Sequence, residues 1–315
     1  MTSKIIIVLI LYMMSIILTM SCLNWIMIWV GLEINMMSFI VLMYNRTIMG
    51  VEVCMKYFFI QSLGSGILMV MFYSGYYWYD YMMLVILSYK VGGGPFFFWF
   101  PSVCEGLNWV MCYFLMTIQK ILPLLLISFC VSNMLWMIIL SSLIIGCFGS
   151  MNQNKVKRLM AYSSIHHIGW ILMCMFLGEN MWVLYLLMYS FLIMGVILSL
   201  SKDQVLDVGI LGNMSSKWGF ILGMMSMGGM PPFLGFFMKW WVFYQALFLD
   251  MSLLMIMVLM SVIMFYVYLR MVYMLIFSSN NKISWKLEEY SEEYFSMDFL
   301  YLMGINVGIV WIFLM

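Results

Sequence analysis

Six charged side chains stand where lipid-compatible sequence leaves little room for charge: Glu33, Lys56, Lys90, Lys120, Lys239 and Arg270. His166 and His167 add two imidazoles about two turns into another apolar run. A lysine at mid-membrane costs roughly 2.5–3.5 kcal/mol on the insertion scale, so such residues face a polar interior and mark an ion or proton path. Lysine suits proton work because taking it out of water favours the neutral form, while a neighbouring carboxylate favours the charged one. A Glu–Lys pair that opens and closes can therefore load and release a proton. Lys90, Lys120 and Glu33 lie deep in their segments. Lys56 and Arg270 lie nearer segment ends, where snorkelling lowers the cost.

The rest of the chain explains why these charges stand out. Of 315 residues, 66% are hydrophobic and 9% charged, with a mean hydropathy of +1.06. A soluble domain carries about 25% charge. The reading is an all-α polytopic membrane protein, since about 20 apolar residues span the hydrocarbon. A net charge of +1 without a basic cluster argues against nucleic acid. The seven cysteines are scattered singly, with no CxxC or CxxxH spacing, so no metal site is expected. Forty-one methionines spread throughout fit a mitochondrial code that reads an extra codon as Met in place of Ile.

Eleven hydrophobic segments are expected, at roughly 4–22, 24–44, 51–75, 81–103, 107–130, 134–149, 158–177, 180–200, 216–249, 252–277 and 297–315. Basic residues fall in alternate loops. Lys4, Arg46, Lys155, Lys157, Arg158, Lys202, Lys217, Lys282 and Lys286 lie on one side, and the other side has only Asp80, Glu179 and Asp250. The N-terminus then lies on the positive (matrix or cytoplasmic) face and the C-terminus opposite.

Two segments are interrupted by a shared pattern. "GGGPFFFWFP" carries Gly92, Gly93, Gly94 and Pro95, and "GGMPPFLGFFMKW" carries Gly228, Gly229, Pro231 and Pro232. Each is Gly-Gly-x-Pro followed by aromatics near a lysine. They lie five segments apart, an odd number, so the copies enter the membrane from opposite faces. This is the pattern of an inverted repeat with paired discontinuous helices. The expected organisation is a first five-helix repeat at 1–130 broken at 92–95, an inverted one at 131–277 broken at 228–232, and a polar linker with a C-terminal helix at 278–315. The run "VGGGP" is no dinucleotide fingerprint, because it follows a membrane helix and lacks GxGxxG spacing.

In chain order, "WVGLEINMMSF" (29–39), "KYFFIQS" (56–62), "KVGGGPFFFWFP" (90–101), "QKILPLLLIS" (119–128), "LMAYSSIHHIGW" (159–170) and "GGMPPFLGFFMKW" (228–240) resemble the NADH dehydrogenase subunit 2 family. That family is one of the antiporter-like membrane subunits of mitochondrial respiratory complex I. The resemblance implies proton translocation coupled to electron transfer in other subunits. It assigns Glu33 and Lys90 to an interacting carboxylate–lysine pair, Lys120 to the central lysine, and Lys239 to the ionisable residue of the second broken helix. His167 matches the family histidine; Lys56, His166 and Arg270 are supporting candidates. Phe97 stands where the family commonly has histidine, so an imidazole relay at that point is lost.

The resemblance further implies that this chain binds no cofactor, and that NADH, FMN, iron–sulfur clusters and ubiquinone are used in or near other subunits. The partners implied are other membrane-arm subunits, including neighbouring antiporter-like ones, and phospholipid. The implied location is the mitochondrial inner membrane, N-terminus to the matrix and C-terminus to the intermembrane space. A free-standing cation/proton antiporter of the same fold, or a non-conducting structural subunit, are the rival readings.

Overall fold

The computed structural model describes residues 2–22, 24–74, 79–178, 181–214, 217–231, 233–247 and 251–279. The acidic stretch after Ser279, the expected C-terminal helix and Pro232 lie outside them. The described residues are almost wholly helical. They divide into two compact units, Met1–Ser142 and Leu143–Met315.

The first unit opens with α1 (Thr2–Ser21), α2 (Trp25–Met43) and α3 (Ile48–Ser74). The segment expected at 81–103 is a helix, a break and a second helix. α4 (Tyr79–Val91) ends at the glycines, a 3₁₀ turn covers Gly94–Phe96, and α5 (Trp99–Gly106) leaves at 90° to the preceding part. Gly92 has φ +74° and Gly94 φ +59°, which only glycine adopts at little cost. Pro95, the next residue, has no N–H with which to continue the helix.

A further interruption was not foreseen. The run 107–130 consists of α6 (Trp109–Met116) and α7 (Ile118–Phe129), joined at Thr117, whose φ −120° and ψ −76° are not helical. Pro123 lies inside α7. Its ring crowds the carbonyl four residues back and it donates no hydrogen bond there. Lys120 therefore sits in the first turn of a restarted helix. The Thr117 hydroxyl ties the joint to Tyr113 O at 2.7 Å.

The second unit begins inside α8 (Leu135–Met151) and continues through α9 (Val156–Phe176), α10 (Met181–Lys202), a 3₁₀ turn at Val208–Asn213, α11 (Lys217–Gly228), α12 (Leu234–Ala246) and α13 (Met251–Ser279). α9 is the most polar of these spans and the most enclosed: Ser163, Ser164, His166 and His167 are all buried. Lipid offers such groups no hydrogen bonds, so they turn inward. Both serine hydroxyls bond carbonyls one turn back, at 2.7 Å. Small residues let α9 approach α8, because a methyl group on Gly146 would lie 2.7 Å from the His166 backbone nitrogen. α12 folds back against α11 through Gly235, where a Cβ has no room beside Ser226 O.

By length and apolarity, six helices among the described residues can cross a membrane, or seven when the bent α4–α5 pair counts as one. Their outward faces are apolar: Phe59, Leu63 and Ile67 on α3, and Met255, Leu259 and Val262 on α13, are exposed. In water such faces would associate, whereas in lipid they are solvated.

Candidate functional site

In the first unit, α2, α3, α4 and α7 converge on two buried lysines. Lys90 is 6% exposed and Lys120 2%. Both line one small cavity of about 30 Å³, together with Asn35, Tyr57, Gln61 and Gln119. One water needs roughly 10–15 Å³ of such space, so the cavity has room for a water or two. Asn35 Nδ2 and Gln119 Nε2 are buried amide donors without a protein partner. Buried donors in native proteins are nearly always paired, with protein or with ordered water. The lining is therefore built for hydration.

Glu33 lies at the edge of this arrangement. It is half-buried and accepts a hydrogen bond from the Ser65 hydroxyl of α3. Trp29, one turn earlier on α2, donates its indole N–H to Ser65 O at 3.1 Å and so fixes the position of Ser65. Ser65 neighbours Gly64, the residue against which Lys90 packs. The stem of Lys90 passes over Gly64 of α3, where a larger residue would collide with it. On the far side of the cavity the Lys120 ammonium stands 5.0 Å from the centre of the Phe100 ring, a cation–π contact.

In the second unit Lys239 is buried on α12, and its Nζ donates to Gly228 O at 2.9 Å and Met227 O at 3.3 Å. These are carbonyls at the end of α11, freed by the break. Beside them lies a polar chain. The Trp170 indole donates to His166 Nε2 at 3.1 Å, so that nitrogen carries no proton. His166 Nδ1 stands 3.4 Å from the Cys147 sulfur, and the thiol in turn donates to Met260 O at 3.0 Å. The network assigns the proton of a neutral His166 to Nδ1. His167 faces another direction, with Nδ1 at 3.0 Å from the Tyr185 hydroxyl and its ring against Tyr189.

The structure thus brings Lys90 and Lys120 to one cavity, holds Glu33 on Ser65 of α3, and separately seats Lys239 on the carbonyls that end α11. Lys56 lies elsewhere: it pairs with Glu52 at 2.5 Å on an exposed face of α3, one turn apart. Arg270 is also engaged structurally, bonding Met151 O and Gln153 O at the C-terminal end of α8. Of the aromatics after the first break, Phe96 and Phe98 are exposed, whereas Trp99 and Phe100 are buried and line the lysine cavity. The amides Asn35, Gln61 and Gln119, and Ser65, escaped the sequence reading. Their signal was polarity inside apolar runs without charge. Among the described residues no cluster of three His, Cys, Asp or Glu could hold a metal.

Residues 71–264, from the end of α3 to the middle of α13, match the family described as NADH:quinone oxidoreductase/Mrp antiporter, transmembrane. The chain belongs to this antiporter-like membrane family. It is 39% identical to NADH-ubiquinone oxidoreductase chain 2 of Aedes aegypti over 92% of both chains. It is 36% identical to the same chain of Anopheles gambiae, over 92% of this chain and 91% of that one. Its fold matches a chain of respiratory complex I from Thermus thermophilus with bound Aureothin at a TM-score of 0.83, with 22% identity, covering 98% of this chain and 78% of that one. A chain of the Mrp complex from Dietzia sp. matches at 0.73, with 16% identity, over 84% and 59%. Within this antiporter-like family, the chain reads as a multi-pass membrane protein whose buried lysines adjoin broken helices.

Proposed function

We propose that the chain is a proton-translocating membrane-arm subunit of an NADH:ubiquinone oxidoreductase of the mitochondrial inner membrane. Glu33, Lys90 and Lys120 in the first unit and Lys239 in the second carry the protons. The observation that supports this most is the cavity shared by Lys90 and Lys120, with two unpartnered amide donors in its wall. Water held by Asn35 and Gln119 would pass a proton between the two amines without either side chain leaving its packing. Glu33, held by Ser65, stabilises the charged form of Lys90 when close and releases it when displaced.

The electron chemistry belongs to partner subunits, which bind NADH, FMN, iron–sulfur clusters and ubiquinone; this chain's part is proton transfer. Neighbouring antiporter-like subunits and phospholipid cover its apolar faces. Eleven crossings in two inverted five-helix repeats, 1–130 and 131–277, with a final helix after 278, place the N-terminus in the matrix and the C-terminus in the intermembrane space. The one-sided distribution of Lys and Arg supports that orientation.

The decisive experiment is NADH oxidation and proton uptake in vesicles reconstituted with assembled Lys120→Met complex. Both are expected to fall by about a hundredfold or more, the lower end of what a proton-transfer group contributes. Full pumping by that assembled variant would refute the relay. Label access to the loops around Arg46, Lys157 and Lys202 from the intermembrane face of intact mitoplasts would refute the orientation.

A further inference from the structure

The two helix breaks share one backbone motif but are closed by different chemistry. After α4, the Gly92 N–H bonds Tyr89 O at 3.2 Å and the Gly93 N–H bonds Ser88 O at 3.1 Å. After α11, the Gly229 N–H bonds Ser226 O at 3.1 Å and the Met230 N–H bonds Met225 O at 3.3 Å. Each is a Schellman ending, with its left-handed glycine at φ +74° and +84°. Gly92 is therefore the counterpart of Gly229, one residue away from the register that the Gly-Gly-x-Pro alignment suggests. Lys90 becomes the counterpart of Met227.

A Schellman motif leaves the next carbonyl without an internal donor. In the first break that carbonyl is Lys90 O, and the Gln61 amide donates to it at 3.1 Å. In the second it is Met227 O, and the donor is the Lys239 ammonium, which also takes Gly228 O. An amide is neutral at every working pH. An ammonium at a helix C-terminus adds charge-assisted hydrogen bonds and a favourable interaction with the helix dipole, and both weaken when its proton leaves.

We infer that Lys239 is the C-terminal cap of α11, and that closure of the second break follows the charge on this lysine. The first break is held by Gln61 whatever the charge on Lys90. Titratable neighbours of Lys239 are Cys147 of α8 and His166 of α9. α10 presents Tyr185, bonded to His167; α11 carries only Lys217, at its opposite end; and α13 carries Tyr268. The inference rests on the proton-transfer reading only for its consequence: a proton leaving Lys239 loosens the second break and exposes Met227 O and Gly228 O to water, while the first stays shut.

Hydrogen exchange on the assembled complex tests the cap apart from pumping, using peptides over 88–97 and 225–236. Lys239→Met should accelerate exchange at the Gly229 and Met230 amides about tenfold, the worth of a lost charge-assisted bond. Lys239→Arg should restore protection, and neither variant should change Gly92 or Gly93. Should Lys239→Met fail to assemble, the unmodified complex decides. Corrected for intrinsic rates, protection at Gly229 and Met230 should fall as pH rises from about 6 to about 10, across the lysine titration range, with Gly92 and Gly93 flat. Unchanged exchange in Lys239→Met, or parallel pH behaviour at the two breaks, would overturn the inference. Loss of pumping with these exchange results intact would bear on the relay alone.

Discussion

The stem of Lys90 lies against Gly64 so closely that a methyl group there would stand 3.0 Å from both its Cγ and its Cε. A glycine in the middle of a membrane helix is thereby part of the lysine's seat. The neighbouring Gly66 faces open space. Gly64→Val should push Lys90 out of its cavity and lower NADH-driven proton uptake by about tenfold to a hundredfold, as misplacements near 1 Å do. Gly66→Ala should leave uptake unchanged. Equal rates in the two variants would show that Lys90 tolerates displacement.

The carboxylate side of the pair invites a graded series. Lys90→Met and Glu33→Gln should each depress coupled turnover by about a hundredfold or more while a native gel still shows assembled complex. Ser65→Ala removes the hydroxyl that orients Glu33, and should cost about tenfold, the low end of what one hydrogen bond to a charged group is worth. A Ser65→Ala defect as deep as that of Glu33→Gln would mean that the serine itself carries protons.

Asn35 and Gln119 make opposite predictions for stability and for function. Their amide donors are buried without protein partners and bond only cavity water, so Gln119→Leu should leave the unfolding midpoint of the assembled complex unchanged or slightly raised. The same change should slow proton uptake about tenfold by drying the cavity between Lys90 and Lys120. Thermal scans paired with uptake on one preparation check both signs. Full uptake in the stabilised variant would exclude water at this position.

The left-handed glycines can be tested by strain. Gly92→Ala and Gly229→Ala each force an L-residue to positive φ, a cost of about 1–2 kcal/mol. The added methyl also meets Phe100 at 3.0 Å in the first case and Lys239 at 3.2 Å in the second. Both variants should assemble less well on native gels, with Gly92→Ala the worse, because the backbone-proximal Cβ of Phe100 yields less than the flexible end of a lysine. Assembly equal to that of Gly66→Ala would show that the breaks relax at no cost.

Much of this molecule was legible before any coordinates. Hydropathy located α1, α2, α9 and α10 to within a few residues, because the need to satisfy backbone hydrogen bonds in lipid is local and leaves only the helix. The breaks at Gly92–Pro95 and Gly228–Pro231 were equally local, since left-handed backbone and a missing N–H are properties of glycine and proline themselves. The joint at Thr117 went unforeseen, for its non-helical backbone has no glycine or proline at that residue. The partners of the charges were another matter, for they depend on how each helix is rotated and how far it slides against the next. Nothing in the order of residues says that Lys56 turns outward to Glu52 while Lys90, on the next helix, turns inward over Gly64. Nor does it say that the two glycine motifs align one residue out of step, so that Gln61 stands at one break and Lys239 at the other. The identities of the ionisable groups were set by sequence; the tertiary packing decided which of them share a cavity, because a side chain two residues along a helix points elsewhere while one thirty residues away can lie within hydrogen-bonding reach.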